Sequence, residues 1–110
     1  MTEETDACEV KSIEPVDIDQ FEKLGEVLGV LSNKTRLAII TIALEHGSVC
    51  ACRLQESLGL PQPTVTVHLQ KLYSAGLLRK REAWRYTYYS IKEEYGTLLK
   101  AVLEGKQNTR

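Results

Sequence analysis

The segment LGLPQPTVTVHLQKLYSAG, Leu58 to Gly76, constrains the fold more than any other part of the chain. Prolines 61 and 63 fit a helix only before it or in its first turn, so a helix must begin near Gln62. Val65, Leu69 and Leu72 then share one face, and Gly76 ends the helix. Gly59 closes a shorter helix from about Ala51 to Ser57, with Leu54 and Leu58 as its buried pair. Two helices this close together, the second with a polar N-terminal half, follow the helix-turn-helix plan.

The flanking segments extend that plan. Residues 1–16 are polar, lack periodicity and close at Pro15, as expected of a flexible acidic arm. Asp17 or Asp19 caps a first helix whose apolar stripe is Phe21, Leu24, Leu28 and Leu31. Ser32 and Asn33 end it. Lys34 to Glu45 is apolar on both faces, as a central buried helix should be, and Gly47 stops it. LLRKREAWRYTYYSI reads as two strands in which Leu78 and Lys80, then Tyr86 and Tyr88, alternate with polar neighbours. The hairpin tip is expected near Glu82–Trp84. A last helix, Lys92 to Glu104, should bury Tyr95, Leu98, Leu99, Val102 and Leu103. The predicted fold is mainly α with a small β-hairpin wing, a winged helix-turn-helix over residues 17–104, with residues 105–110 a frayed tail.

At 110 residues the chain forms one domain. A chain of this size buries only about two-thirds of its unfolded surface, so a dimer is worth considering. The opening MTEETDACEV is acidic and has no apolar h-region, so neither a signal nor a transit peptide is expected. LAIITIAL is too short to span a bilayer. These features predict a cytoplasmic protein without a membrane partner, in a compartment where its three cysteines stay reduced. Two histidines, no glycine-rich phosphate loop and no nucleophile–base constellation argue against an enzyme.

The net charge of −1 hides a gradient. Residues 1–20 carry seven acids against Lys11, whereas residues 61–90 carry Lys71, Arg79, Lys80, Arg81 and Arg85 against Glu82 alone. A basic half within a neutral chain is the footprint of a local nucleic-acid surface, although a solvated charged face has the same composition. With Val65, Leu69 and Leu72 inward, helical rotation turns Pro63, Thr66, Val67 and Gln70 outward. Thr64 and Lys71 flank them. Thr and Gln can hydrogen-bond base edges, and the Val67 methyls can pack on a thymine methyl. The candidate DNA-contacting set is Gln62, Thr64, Thr66, Val67, His68, Gln70 and Lys71 on the helix, with Arg79, Arg81 and Arg85 on the wing. His68 lies toward the helix side, which suits a structural or phosphate-contacting role better than metal ligation. Trp84, the only tryptophan, either faces DNA or packs across the hairpin on Tyr86.

Cys50 and Cys52 are separated by one residue at the start of the third helix. Residues i and i+2 of a helix point about 200° apart. Two thiolates must each lie about 2.3 Å from an ion such as zinc. The pair can therefore share an ion only if Cys50 lies outside the helix or the first turn distorts. Binding of one ion by both would thus cost helical geometry just where the helix-turn-helix begins.

LSNKTRLAII, SVCACRLQESLGL, PTVTVHLQKLYSAGLL and WRYTYYSI together make residues 20–100 resemble the ArsR/SmtB family of metalloregulators. The resemblance implies a homodimer joined through its first and last helices. It also implies a repressor that leaves double-stranded operator DNA when an inducing ion binds. The family zinc site on the last helix is not expected, because residues 92–110 contain no His. The Cys-x-Cys thiolate site matches Cys50 and Cys52. Gln55 stands where some arsenic sensors have a third cysteine. Cys8 on the arm is the remaining thiol. Three thiolates would suit As(III), or else Sb(III). Cd(II) or Pb(II) would need a further ligand such as Asp6 or Glu9, and Zn(II) is another alternative; no resident cofactor is required. Three readings compete: an ion-responsive repressor, a thiol redox-responsive regulator, and a DNA-binding dimer whose cysteines only pack.

Overall fold

A computed structural model describes residues 12–106. Cys8, Asp6 and Glu9, like most of the predicted arm, lie outside the described residues.

A 3-10 turn, Ile18–Phe21, leads into α1, Glu22–Leu31. Asp17 is the cap: its Oδ1 accepts the Asp19 backbone N–H at 3.1 Å. Helix α1 buries Val27 and Leu31. Of the apolar stripe, Leu31 is buried within the chain, whereas Phe21 is 51% exposed and Leu24 and Leu28 are each 44% exposed. The 3-4-3 spacing marks an apolar face, but only its edge meets the core of the single chain.

Asn33 starts α2, Lys34–His46, by accepting the Arg36 N–H at 3.0 Å through its side chain. Ile39, Ile40 and Ala43 of α2 are buried. This helix touches α1, the two helices of the helix-turn-helix, the second strand of the wing and the last helix, so it is the central element. Helix α3, Ala51–Leu58, ends at Gly59, whose φ of 67° supplies the left-handed residue that closes the helix. Helix α4, Gln62–Ser74, follows Pro61 at its cap and has Pro63 in its first turn. Val65, Leu69 and Leu72 are fully buried, as the periodicity predicts. Burial of each such side chain is worth about 1.5–3 kcal/mol. The α4 C-terminus is tied to α1 by Lys23, whose Nζ donates to the Ala75 carbonyl at 2.8 Å.

Strands β1, Leu78–Ala83, and β2, Tyr86–Ile91, pair antiparallel with Leu78 opposite Ile91 and Ala83 opposite Tyr86. The turn is therefore Trp84–Arg85, one or two residues later than predicted. Trp84 has φ 61° and is the only non-glycine residue with positive φ among the described residues. Glycine is the usual occupant of such a turn position. A left-handed conformation costs a residue with a Cβ about 1–2 kcal/mol. The alternation within β2 is also corrected: Tyr89 is 6% exposed and Tyr86 is 42% exposed. Tyr89 is the core tyrosine because it faces α4, where its ring meets Tyr73 edge-on at 6.4 Å.

Val49 forms an isolated bridge on the other edge of β2. Its N–H donates to the Tyr89 carbonyl at 2.9 Å, and the Tyr89 N–H donates back at 2.8 Å. The predicted last helix begins as a 3-10 turn, Glu93–Tyr95, and becomes α5 only over Gly96–Leu103. Leu99 is its buried residue, while Tyr95, Leu98, Val102 and Leu103 are half-buried. No single helix among the described residues is long and apolar enough to cross a membrane.

Candidate nucleic-acid interface and cysteine pair

Helix α4 carries the predicted reading residues on its solvent side. Gln62, Thr64, Gln70 and Lys71 are exposed, Val67 is 49% exposed, and Thr66 and His68 are half-buried. On the wing, Arg79, Arg81 and Arg85 are exposed. Arg81 stacks its guanidinium over its cross-strand partner Tyr88, 5.1 Å from the ring centroid. Such stacking holds a flexible cation in place without consuming its hydrogen-bond donors.

Two further residues lie beside these. Lys80 lies one strand position from Arg79 and Arg81, so it points to the opposite side of β1. Its Nζ sits 4.6 Å from the Tyr73 ring centroid and borders a cleft of about 450 Å³ with Gln62, Thr66, Gln70 and Arg85. The spacing of two from Leu78 is the signal that places Lys80 on the α4 side.

The other is Arg36, whose Nε donates to His68 Nδ1 at 3.2 Å while its Nη1 donates to the Val30 carbonyl at 2.9 Å. Nothing local in the sequence announces a bond between residues 32 positions apart. Accepting at Nδ1 makes His68 the neutral tautomer with its proton on Nε2. Burial, then the charges of Arg36 and Lys71, hold the His68 pKa below its ordinary value.

Cys50 is not helical. It is the N-cap of α3, with extended backbone at φ −122° and ψ 160°, and α3 is regular from Ala51. The Cα atoms of Cys50 and Cys52 lie 5.4 Å apart and the two sulfurs are joined as a disulfide. A separation of this size is ordinary for a disulfide. The first of the two conditions set by the spacing is met, since Cys50 lies outside the helix; the joined sulfurs replace the expectation of reduced thiols. An extended N-cap turns its side chain back toward the first helical turn, so the sulfurs converge without deforming α3.

Cys50 is 5% exposed and Cys52 is half-buried. The pair borders the cleft between α4 and the wing, and also a second cleft of about 640 Å³ whose lining includes His46, Arg53, Tyr86 and Tyr88. Among the described residues no three of His, Cys, Asp or Glu gather closely enough to hold a metal ion. Reduction of the pair would free two thiols at this position.

Residues 33–80, from the start of α2 into β1, match the family described as bacterial regulatory protein, arsR family. An HTH-type transcriptional regulator of Methanocaldococcus jannaschii is 34% identical over 89 residues, covering 79% of this chain and 99% of that protein. The chain belongs to the ArsR family. It is a DNA-binding transcriptional repressor of winged helix-turn-helix fold, not an enzyme. A second relative, named a putative arsenical resistance operon repressor in Halobacterium salinarum, is 33% identical over 88 residues, 79% of this chain and 74% of its own length. The fold is shared with a solved homodimeric winged helix-turn-helix DNA-binding domain from Mycobacterium bovis. That likeness has a TM-score of 0.70 at 24% identity, over 86% of this chain and 87% of the other. In this fold α4 is the second helix of the helix-turn-helix, the position of a recognition helix, and the β1–β2 hairpin is the wing.

Proposed function

We propose that this ArsR-family repressor acts as a homodimer that leaves its operator when a thiophilic ion, arsenite in the first instance, engages Cys50 and Cys52. The observation that carries this reading is the convergence of the two sulfurs at the N-cap of α3, beside the cleft between α4 and the wing. A reduced pair held this way presents two thiolates to one ion. Cys8 supplies the third thiolate, from its own or the partner subunit's arm, completing a trigonal site.

DNA is read by Gln62, Thr64, Thr66, Val67 and Gln70 on α4. Lys71, Arg79, Arg81, Arg85 and the Nε2–H of His68 meet phosphates. Coupling runs through the chain beside the cysteines rather than through deformation of α3. Val49 precedes Cys50 and is bonded to β2, while α3 packs on α4. A change in sulfur geometry therefore pulls between recognition helix and wing. A coupling of about 1–3 kcal/mol, roughly 5- to 150-fold in affinity, is the usual scale of such a link. The half-exposed Phe21 of the 3-10 turn and Leu24 and Leu28 on α1, with Leu98 and Val102 on α5, supply the apolar surface for the dimer seam.

The joined sulfurs favour one second reading, in which the disulfide itself is the signal. A labelled duplex selected from a random pool by the reduced protein separates the two by anisotropy. Release by stoichiometric arsenite in excess reductant supports the ion. Release by oxidant alone, reversed by thiol, supports the disulfide. If Cys8→Ser binds arsenite with unchanged affinity, the arm supplies no ligand.

A further inference from the structure

Neither the fold nor the proposed DNA contacts account for Trp84. It holds the first central position of a two-residue hairpin turn with φ 61°, where glycine would be unstrained. It is 86% exposed and so contributes almost nothing to the core. The expected alternative, packing on Tyr86, is absent: Tyr86 pairs instead with Tyr88, at 6.3 Å between ring centroids. The largest apolar side chain in the chain thus stands on a strained backbone, projecting into solvent. Strain retained at an exposed position points to a use outside the fold.

The surroundings identify the partner. The hairpin carries Arg79, Lys80, Arg81 and Arg85 against one carboxylate, Glu82. The Arg85 guanidinium lies 4.3 Å from the Trp84 ring centroid. Arg85 also borders the cleft it shares with Gln62, Thr66 and Gln70, so the wing tip opens on the side that α4 presents to DNA. A flat apolar ring flanked by cations matches a polyanion with stacked bases and a narrow groove. It does not match an acidic protein surface, which offers no face for the ring.

We propose that Trp84 is a minor-groove wedge: as α4 sits in the major groove, the indole enters the adjacent minor groove and stacks on a partly opened base step, with Arg85 on the flanking phosphate. Flexible pyrimidine–purine steps would be favoured there, giving sequence preference outside the bases read by α4. The proposal rests on the DNA-binding reading and adds a specificity-determining residue to it.

As the only tryptophan, Trp84 reports on itself. With a duplex selected from a random pool, bound complex is followed by anisotropy of a label on the DNA and Trp84 by acrylamide quenching. Saturating duplex should lower the quenching constant several-fold. Trp84→Gly should weaken binding about 5- to 150-fold, the scale of base–aromatic stacking, and flatten any preference at the flanking step. It should leave the salt dependence unchanged, because no phosphate contact is removed. Its melting temperature should hold or rise, because the turn is relaxed; a structural tryptophan would show the reverse. The wedge is overturned if the duplex binds while Trp84 stays open to acrylamide, a result that leaves DNA binding itself intact. It is also overturned if Trp84 becomes shielded by rising protein concentration alone, which would place the ring between copies of this chain. If no duplex is bound at all, the wedge and the DNA-binding reading fail together.

Discussion

His68 and Arg36 join the recognition helix to the central helix through a single bond that exists only while His68 is neutral. Burial is the first cause of its lowered pKa, followed by Arg36 and Lys71. The sign follows from proton linkage: the unfolded chain takes up this proton at a higher pH than the folded one. The stabilisation is complete above the ordinary histidine value of about 6.5 and is lost as pH falls through the lowered folded value. Arg36→Met removes the second cause alone, so the His68 pKa should rise without fully reaching its ordinary value. A proton NMR titration of the two histidines reads this directly; an unmoved His68 would mean the contact is not formed in solution. Gly59 offers a second test at this scale. A Cβ added there meets nothing within 4 Å, so Gly59→Ala should cost only its backbone penalty at φ +67°, about 1–2 kcal/mol, measured by urea unfolding. A neutral result would mean α3 does not end in the left-handed turn.

At the scale of elements, α1 presents Leu24 and Leu28 at 44% exposure on the apolar stripe beside the buried Val27 and Leu31. Because they add little to the single chain's core, Leu24→Glu with Leu28→Glu should leave helicity intact while converting the dimer to monomer. Light scattering across a concentration series checks this, and a persisting dimer would move the seam elsewhere. The same helix shows what sequence periodicity resolves. The burial of α4 was legible because Val65, Leu69 and Leu72 serve one purpose, packing against the core. The α1 stripe is equally periodic, yet periodicity records that a face is apolar and not whether its own chain or a second one covers it. In β2, two adjacent tyrosines, Tyr88 and Tyr89, fit either alternation phase. The choice is made by Tyr73 on α4, a contact no local pattern contains. The hairpin tip was misplaced for a related reason: its turn uses Trp84 where glycine would have marked it.

Across the whole molecule, the cysteine pair sits where three parts meet: the α3 N-cap, the edge of β2 held by Val49, and the cleft facing α4. The Cys-x-Cys motif was plain in the sequence, but its geometry was not. One residue of spacing separates side chains within a helix and joins them when the first residue is the cap. That boundary is fixed by the Val49–Tyr89 bridge, which keeps the chain extended up to Cys50. The proposed coupling accordingly runs through the join between helix-turn-helix and wing rather than through a distorted α3. The most direct test compares reduced wild type with Cys50→Ser/Cys52→Ser on one labelled duplex, by anisotropy, as arsenite is added. Equal duplex affinity is expected at the outset, with release of wild type near one equivalent of arsenite per site and a double variant that stays bound. A double variant that releases the duplex at the same arsenite concentration as wild type would contradict ion sensing by Cys50 and Cys52.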